Sequence, residues 1–140
     1  MVARLPAQSV SGSDVVRFYN PPGVKPSPTF SRVAVAQTDR LIFFPTLLSR
    51  KDASGQEQVK EVFDQLAEGL KQAGSDFRHL VKATYCMVDK EASDAIDAIR
   101  KELYDPARPP AASKVTIHGV GQAGRTVGVD MIAVPAGNAQ

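Results

Sequence analysis

The chain has a single cysteine, Cys86, in 140 residues. A lone thiol closes no intrachain disulfide and supplies no thiolate cluster for zinc, which fits a reducing compartment and sets the expectation of a cytoplasmic protein. Long apolar runs are missing as well. No segment approaches the roughly 18–20 residues that a membrane-crossing helix needs, and Met1 to Ser13 lacks the apolar block of a signal peptide, so no membrane association is expected. Charge of one sign is not in excess: 17 basic residues stand against 15 acidic ones, and they alternate along both helical segments. A nucleic-acid binder concentrates its cations on one face, and aromatic residues, 6% of the chain, do not recur at a spacing on which bases would stack. No nucleic-acid partner is expected. The two histidines, His79 and His118, lie 39 residues apart without acids at ligand spacing, so no metal site is expected either.

What is present is ordinary for a soluble domain, with 43% hydrophobic and 23% charged residues in a length that suits one core. Residues 1–13 read as a flexible leader, 14–135 as a single domain and 136–140 as a flexible tail. Val15 to Tyr19 is a short strand, and the four prolines of Asn20 to Pro28 force an extended linker. Strand signals follow at Ser31 to Ala36 and Leu41 to Phe44, with Thr38-Asp39 as a plausible hairpin connection. Ser54-Gly-Gln-Glu57 has the spacing of a capping box and opens the clearest helix, in which Val59, Val62, Phe63, Leu66, Leu70 and Ala73 repeat at three and four residues before Gly74. Leu80 to Val88 is a strand. Asp89 caps a second helix reaching about Tyr104, its buried side made of Ala95, Ile96, Ile99 and Leu103. Ser113 to Val120 and Thr126 to Val134 are the closing strands, and the glycines between them read as a flexible hairpin that leaves Arg125 exposed or at a subunit rim.

Two helices cover one face of such a sheet. The last strand nevertheless has apolar residues on both sides: Val127, Val129, Met131 and Ala133 on one, Ile132 and Val134 on the other. Strands covered on both faces lose clean alternation, so the second face calls for another subunit, and a homo-oligomer with its sheets packed together is expected.

Arg108-Pro-Pro-Ala-Ala-Ser-Lys-Val115 leads rigidly into a strand and puts Ala112 and Lys114 on one face. Taken with Tyr19-Asn-Pro-Pro-Gly23, Leu41-Ile-Phe-Phe44, the helix from Gln56 to Gly74, Leu80-Val-Lys-Ala-Thr84, Val88-Asp89 and Val129-Asp-Met-Ile-Ala-Val134, it resembles the Rid family, the YjgF-like group of reactive-intermediate deaminases also described as endoribonucleases or translation inhibitors. The resemblance spans roughly residues 17–134 and implies a chorismate-mutase-like α+β fold. Its mixed six-stranded sheet would have two helices on one face, and the chain would form a homotrimer with small-molecule sites in the intersubunit clefts. It also implies enamine or imine hydrolysis without a cofactor.

The same resemblance exposes a departure. The family's arginine, which binds the substrate carboxylate in a bidentate fork that lysine does not reproduce, falls at Ala112. Its catalytic glutamate falls at Gly128, its helix asparagine at Asp97, its loop tyrosine at Phe30 and its ligand-binding glycine at Pro45, which has no amide donor. All five positions differ. Lys114 lies where the family's cleft opens, with Asp97 approaching from the helix and Phe30, Phe43 or Phe44 and Tyr85 as candidate walls. Two readings of Lys114 stay open: a base or Schiff-base lysine working with Asp97, or a structural ion pair or snorkelling surface residue.

Other signals are weaker. Gly119-Val-Gly-Gln-Ala-Gly124 matches a dinucleotide fingerprint letter for letter, yet only 16 residues follow it and they alternate like a strand, whereas the fingerprint opens a helix and needs an acid about 20 residues on. Cys86, between Tyr85 and Met87, reads as a small buried hydrophobe, and Asp130 as an edge or surface carboxylate. Two classes remain: a trimeric small-molecule-binding protein lacking the arginine-dependent deaminase chemistry, or a divergent enzyme acting on an enamine, imine or carbonyl intermediate through Lys114 and Asp97.

Overall fold

A computed structural model describes residues 15–137, so the expected leader at 1–13 lies outside the described residues. Seven strands and two helices follow in the order β1 (Val16–Tyr19), β2 (Val33–Ala36), β3 (Ile42–Phe43), β4 (Leu47–Leu48), α1 (Gly55–Gln72), β5 (Leu80–Met87), α2 (Lys90–Leu103), β6 (Ala111–Thr116) and β7 (Val127–Ala133). Strands β1 and β2 pair with each other. The remaining five form a mixed sheet in which β7 lies between β3 and β5, β6 runs parallel to β5 at one edge, and β4 also pairs with β7. The α+β class holds, with strands divided between a two-stranded ribbon and a five-stranded sheet.

The helices begin and end where the local chemistry dictates. The Ser54 side chain accepts from the Glu57 amide at 3.2 Å, and Gly74, at φ 77°, takes the left-handed conformation just past the end of α1. Asp89 accepts from the Ala92 amide at 2.9 Å to open α2. The buried stripe of α1 (Val59, Val62, Phe63, Leu66 and Leu70) rests on Ala83, Tyr85 and Met87 of β5 and on Val127, Val129, Met131 and Ala133 of β7. Val134, just past β7, is also buried, at 0% exposure.

Several connections differ from the expectations. Thr38-Asp39 does not close a hairpin: β2 pairs with β1 while β3 pairs with β7, and the Thr38 hydroxyl instead accepts from the Arg40 amide at 3.1 Å in a local turn. Nor do the glycines after β6 form a hairpin, because β6 and β7 lie on opposite sides of β5, and Gly121 and Gly124, both at positive φ, belong to a crossover. Within that crossover Arg125 donates from Nε to the Ser49 carbonyl at 2.6 Å, which leaves it half-buried. The buried stripe of α2 is Ala92, Ile96 and Arg100, while Leu103 is exposed. The reason is that the Arg100 guanidinium lies 5.0 Å from the Tyr85 ring centroid and fills the place a leucine would take. Finally, Ala136 donates to the Gly74 carbonyl at 2.9 Å, so the chain is tied to the helix end inside the expected tail.

Candidate functional site at the β6 edge

Paired residues of neighbouring strands point to the same side of a sheet, so register decides what each face presents. Ala112 pairs with Ala83 and Lys114 with Tyr85, which puts both on the helix-covered side, as their spacing anticipates. Strand β6 is at the sheet edge and Ser113 to Thr116 are exposed. The loop before β2 docks at the start of this edge: Ser31 forms a parallel bridge with Ala111, its amide donates to the Pro110 carbonyl at 2.9 Å and its hydroxyl to the Pro109 carbonyl at 2.7 Å. The missing amides of Pro109 and Pro110 leave their carbonyls as the only backbone groups to be satisfied there. Phe30 is thereby held beside the strand entry, half-buried, with the Arg32 guanidinium 5.4 Å from its ring centroid.

Lys114 and Asp97 meet, as their placement on β6 and α2 suggests. Lys114 Nζ donates to Asp97 Oδ1 at 2.8 Å and to the Ser93 carbonyl at 3.3 Å. Asp97 Oδ1 also accepts from the Arg100 guanidinium at 2.6 Å. Burial raises the Asp97 pKa, but hydrogen bonds from Lys114 and Arg100 outweigh it and hold the carboxyl below its ordinary value. Asp97 is therefore a carboxylate at neutral pH carrying two cations. Behind it, Arg100 covers Tyr85, whose hydroxyl meets that of Tyr104 at 2.5 Å. Burial pushes the Tyr85 phenol up to about 12 and the Tyr104 phenol well above its usual range.

Not every expected wall stands here. Tyr85 is fully buried under α1 and α2, a core residue rather than a cleft wall. Phe44 packs against α1, where a Cβ on Gly69 would come within 2.6 Å of its ring, and its neighbour Pro45 is exposed. Both lie beyond β7 from β6, so a single chain does not bring them to Lys114. Gly128 lies on β7 opposite Cys86, facing away from the helices. A Cβ there would come within 2.8 Å of Thr46 Cγ2 and 3.1 Å of Leu48 Cδ2, so packing leaves no room for a glutamate. Cys86 is half-buried on this uncovered face instead of lying in the core. Asp130 is on the same face of an interior strand, not at an edge. The periodicity of α2 favours Leu103 and does not point to Arg100, whose one signal is its place four residues after Ile96 on the buried stripe.

The fold, with its helix pair on one face of a mixed sheet, defines a Rid-like α+β protein. The family model for Endoribonuclease L-PSP matches residues 25–135, and the chain belongs to that family, the Rid or YjgF-like group. A 2-iminobutanoate/2-iminopropanoate deaminase from Capra hircus is 32% identical over 82 residues, and the counterpart from Bos taurus 30% identical over 82. Each match covers 54% of this chain and 60% of the relative, so the chain spans less than two thirds of these deaminases' length. Among solved structures, a Rid-family protein of unknown function from Yersinia pestis superposes with TM-score 0.76 at 20% identity, covering 86% of this chain and 98% of that one. A YjgF-family member from Neisseria meningitidis gives 0.65 at 21% identity over 91% and 100% of the two chains.

Proposed function

We propose that this chain acts as a homotrimer that binds a small polar molecule in the clefts between copies, and that it lacks the arginine-dependent deaminase chemistry of its relatives. The observation that supports this most is the pairing at the β6 edge: Ala112 offers no guanidinium, and Lys114 Nζ is already engaged by Asp97 and the Ser93 carbonyl. An amine committed to two acceptors suits holding and orienting a ligand better than attacking a carbonyl. Gly128 supports the same reading, because Thr46 and Leu48 occupy the space a water-handling carboxylate would need. Phe30 beside the strand entry supplies an apolar wall, and Phe44 and Pro45 of a second copy complete the cleft. The cytoplasm is the compartment proposed, in keeping with the single thiol.

The 2.8 Å contact between Lys114 and Asp97 also favours a second reading, a divergent enzyme that turns over an enamine, imine or carbonyl compound through this pair. Ligand-observed NMR against a panel of small keto acids, amides and amino acids separates the two. Under the binding reading, contacts seen with the native protein weaken at least tenfold in Lys114→Met and no compound is converted. Conversion of a panel member that Lys114→Met abolishes would transfer the case to the enzyme reading.

A further inference from the structure

The face of the sheet turned away from the helices has a composition of its own. Register sets Phe43, Ile132, Lys82 and Ala111 in one row, Asp130, Thr84 and Ser113 in the next, and Leu48, Gly128, Cys86 and Val115 in a third. The outer rows are largely apolar, with Phe43 68% and Val115 44% exposed. Between them runs the polar row of Asp130, Thr84 and Ser113, onto which Lys82 leans from the Phe43 row to form a polar band. Lys82 Nζ donates to the Ser113 hydroxyl at 2.7 Å and to the Ala83 carbonyl at 3.4 Å, and among the described residues Asp130 accepts only a long bond, 3.4 Å, from the Thr46 hydroxyl. Neither forms an ion pair among the described residues, although they stand diagonally on adjacent strands. A lysine and an aspartate, each half-buried and each without an opposite charge, are costly to cover unless the covering surface brings the missing partner.

We infer that Lys82 and Asp130 are the charge code by which copies of this chain recognise one another, Lys82 of one copy pairing with Asp130 of the next. The occupant is a second copy because the band is self-complementary: it displays both signs side by side, so the same face on another copy supplies each charge its counterion. A partner of one charge sign would satisfy one residue and leave the other buried and unpaired. In a ring of three, each copy gives its lysine to one neighbour and its aspartate to the other, a head-to-tail contact that closes. The apolar rows provide the burial, and the charged band fixes the register of sheet against sheet. This rests on the homotrimer proposed above and adds the residues that specify it.

A charge swap followed by sedimentation velocity tests it. At low micromolar concentration, Lys82→Asp and Asp130→Lys each juxtapose like charges around the ring, and each is expected to shift the trimer to monomer, with at least a hundredfold weaker association. The double swap, Lys82→Asp with Asp130→Lys, restores the trimer. Should a swapped variant fail to fold by circular dichroism, Lys82→Met and Asp130→Asn serve instead: each alone weakens association at least tenfold, and the pair together weakens it less than the two effects combined. Trimers that ignore every one of these changes overturn the inference while leaving the homotrimer standing. A native protein that sediments as a monomer overturns both.

Discussion

At the scale of single residues, the site is organised by one carboxylate oxygen. Asp97 Oδ1 holds Lys114 from the sheet edge and Arg100 from its own helix, and Arg100 in turn caps a buried pair of phenols. That pair makes a sharp stability statement. Removing one hydroxyl strands the other in the core, so Tyr85→Phe is expected to destabilise by about 1–3 kcal/mol in urea unfolding, with Tyr85→Phe and Tyr104→Phe together costing less than the two single changes summed. The pH dependence follows from the direction of the shift. A phenol whose folded pKa is raised, here to about 12 for Tyr85 from 10.0, binds its proton more tightly in the folded state. Its contribution is fully present below pH 10.0 and is lost as pH rises toward 12. Melting temperatures of the native protein should therefore fall across that window, and the double phenylalanine variant should flatten the fall. The lone Ala112 and Lys114 were legible from the Pro-Pro entry, since a rigid start fixes which side chains share a face. Arg100 was not, because a buried guanidinium reveals itself through the ring beneath it rather than through helical periodicity.

At the scale of elements, periodicity and caps place both helices, β5 and β7 within a residue or two, because amphipathic stripes and Ser54, Asp89 and Gly74 act locally, whereas β6 starts two residues before and ends four residues before the expected Ser113 to Val120. Strand partners were less accessible. Apolar patterning says that Ile42 and Phe43 belong to a sheet but not to which strand they pair, and the joining of β3 and β4 to β7 is decided by contacts some 80 to 90 residues away in the chain. The two-residue β4 was invisible for the same reason, yet it matters most for the chemistry. Through Leu48, and with Thr46 just before it, it fills the volume above Gly128. Adding a methyl group there forces Thr46 Cγ2 and Leu48 Cδ2 to move, and Gly128→Ala should destabilise by about 1–3 kcal/mol in thermal or urea melts. A neutral result would mean that β4 yields easily and that a longer side chain could be accommodated.

At the scale of the whole molecule, the helices protect one face of the sheet and leave the other with exposed Phe43 and Val115 and a band of Lys82, Thr84, Ser113 and Asp130. Of the two apolar residues expected on the open side of the last strand, Ile132 lies there but Val134 does not: it is fully buried just past the strand end. On the proposed reading the β6 edge is the ligand site, and Ala112 and Gly128 stand in place of the groups that would handle an acid substrate. The relatives named as deaminases act on 2-iminobutanoate and 2-iminopropanoate, and those compounds supply the most direct test of the central claim. With 2-iminobutanoate generated in place by a dehydratase, the decay of the imine is followed with this protein, with the Capra hircus deaminase, and with neither. This protein is expected to leave the decay at its spontaneous rate while the deaminase accelerates it. An acceleration by this protein comparable to the deaminase's would contradict the account, since it would show that the reaction proceeds without a guanidinium at Ala112 and a carboxylate at Gly128.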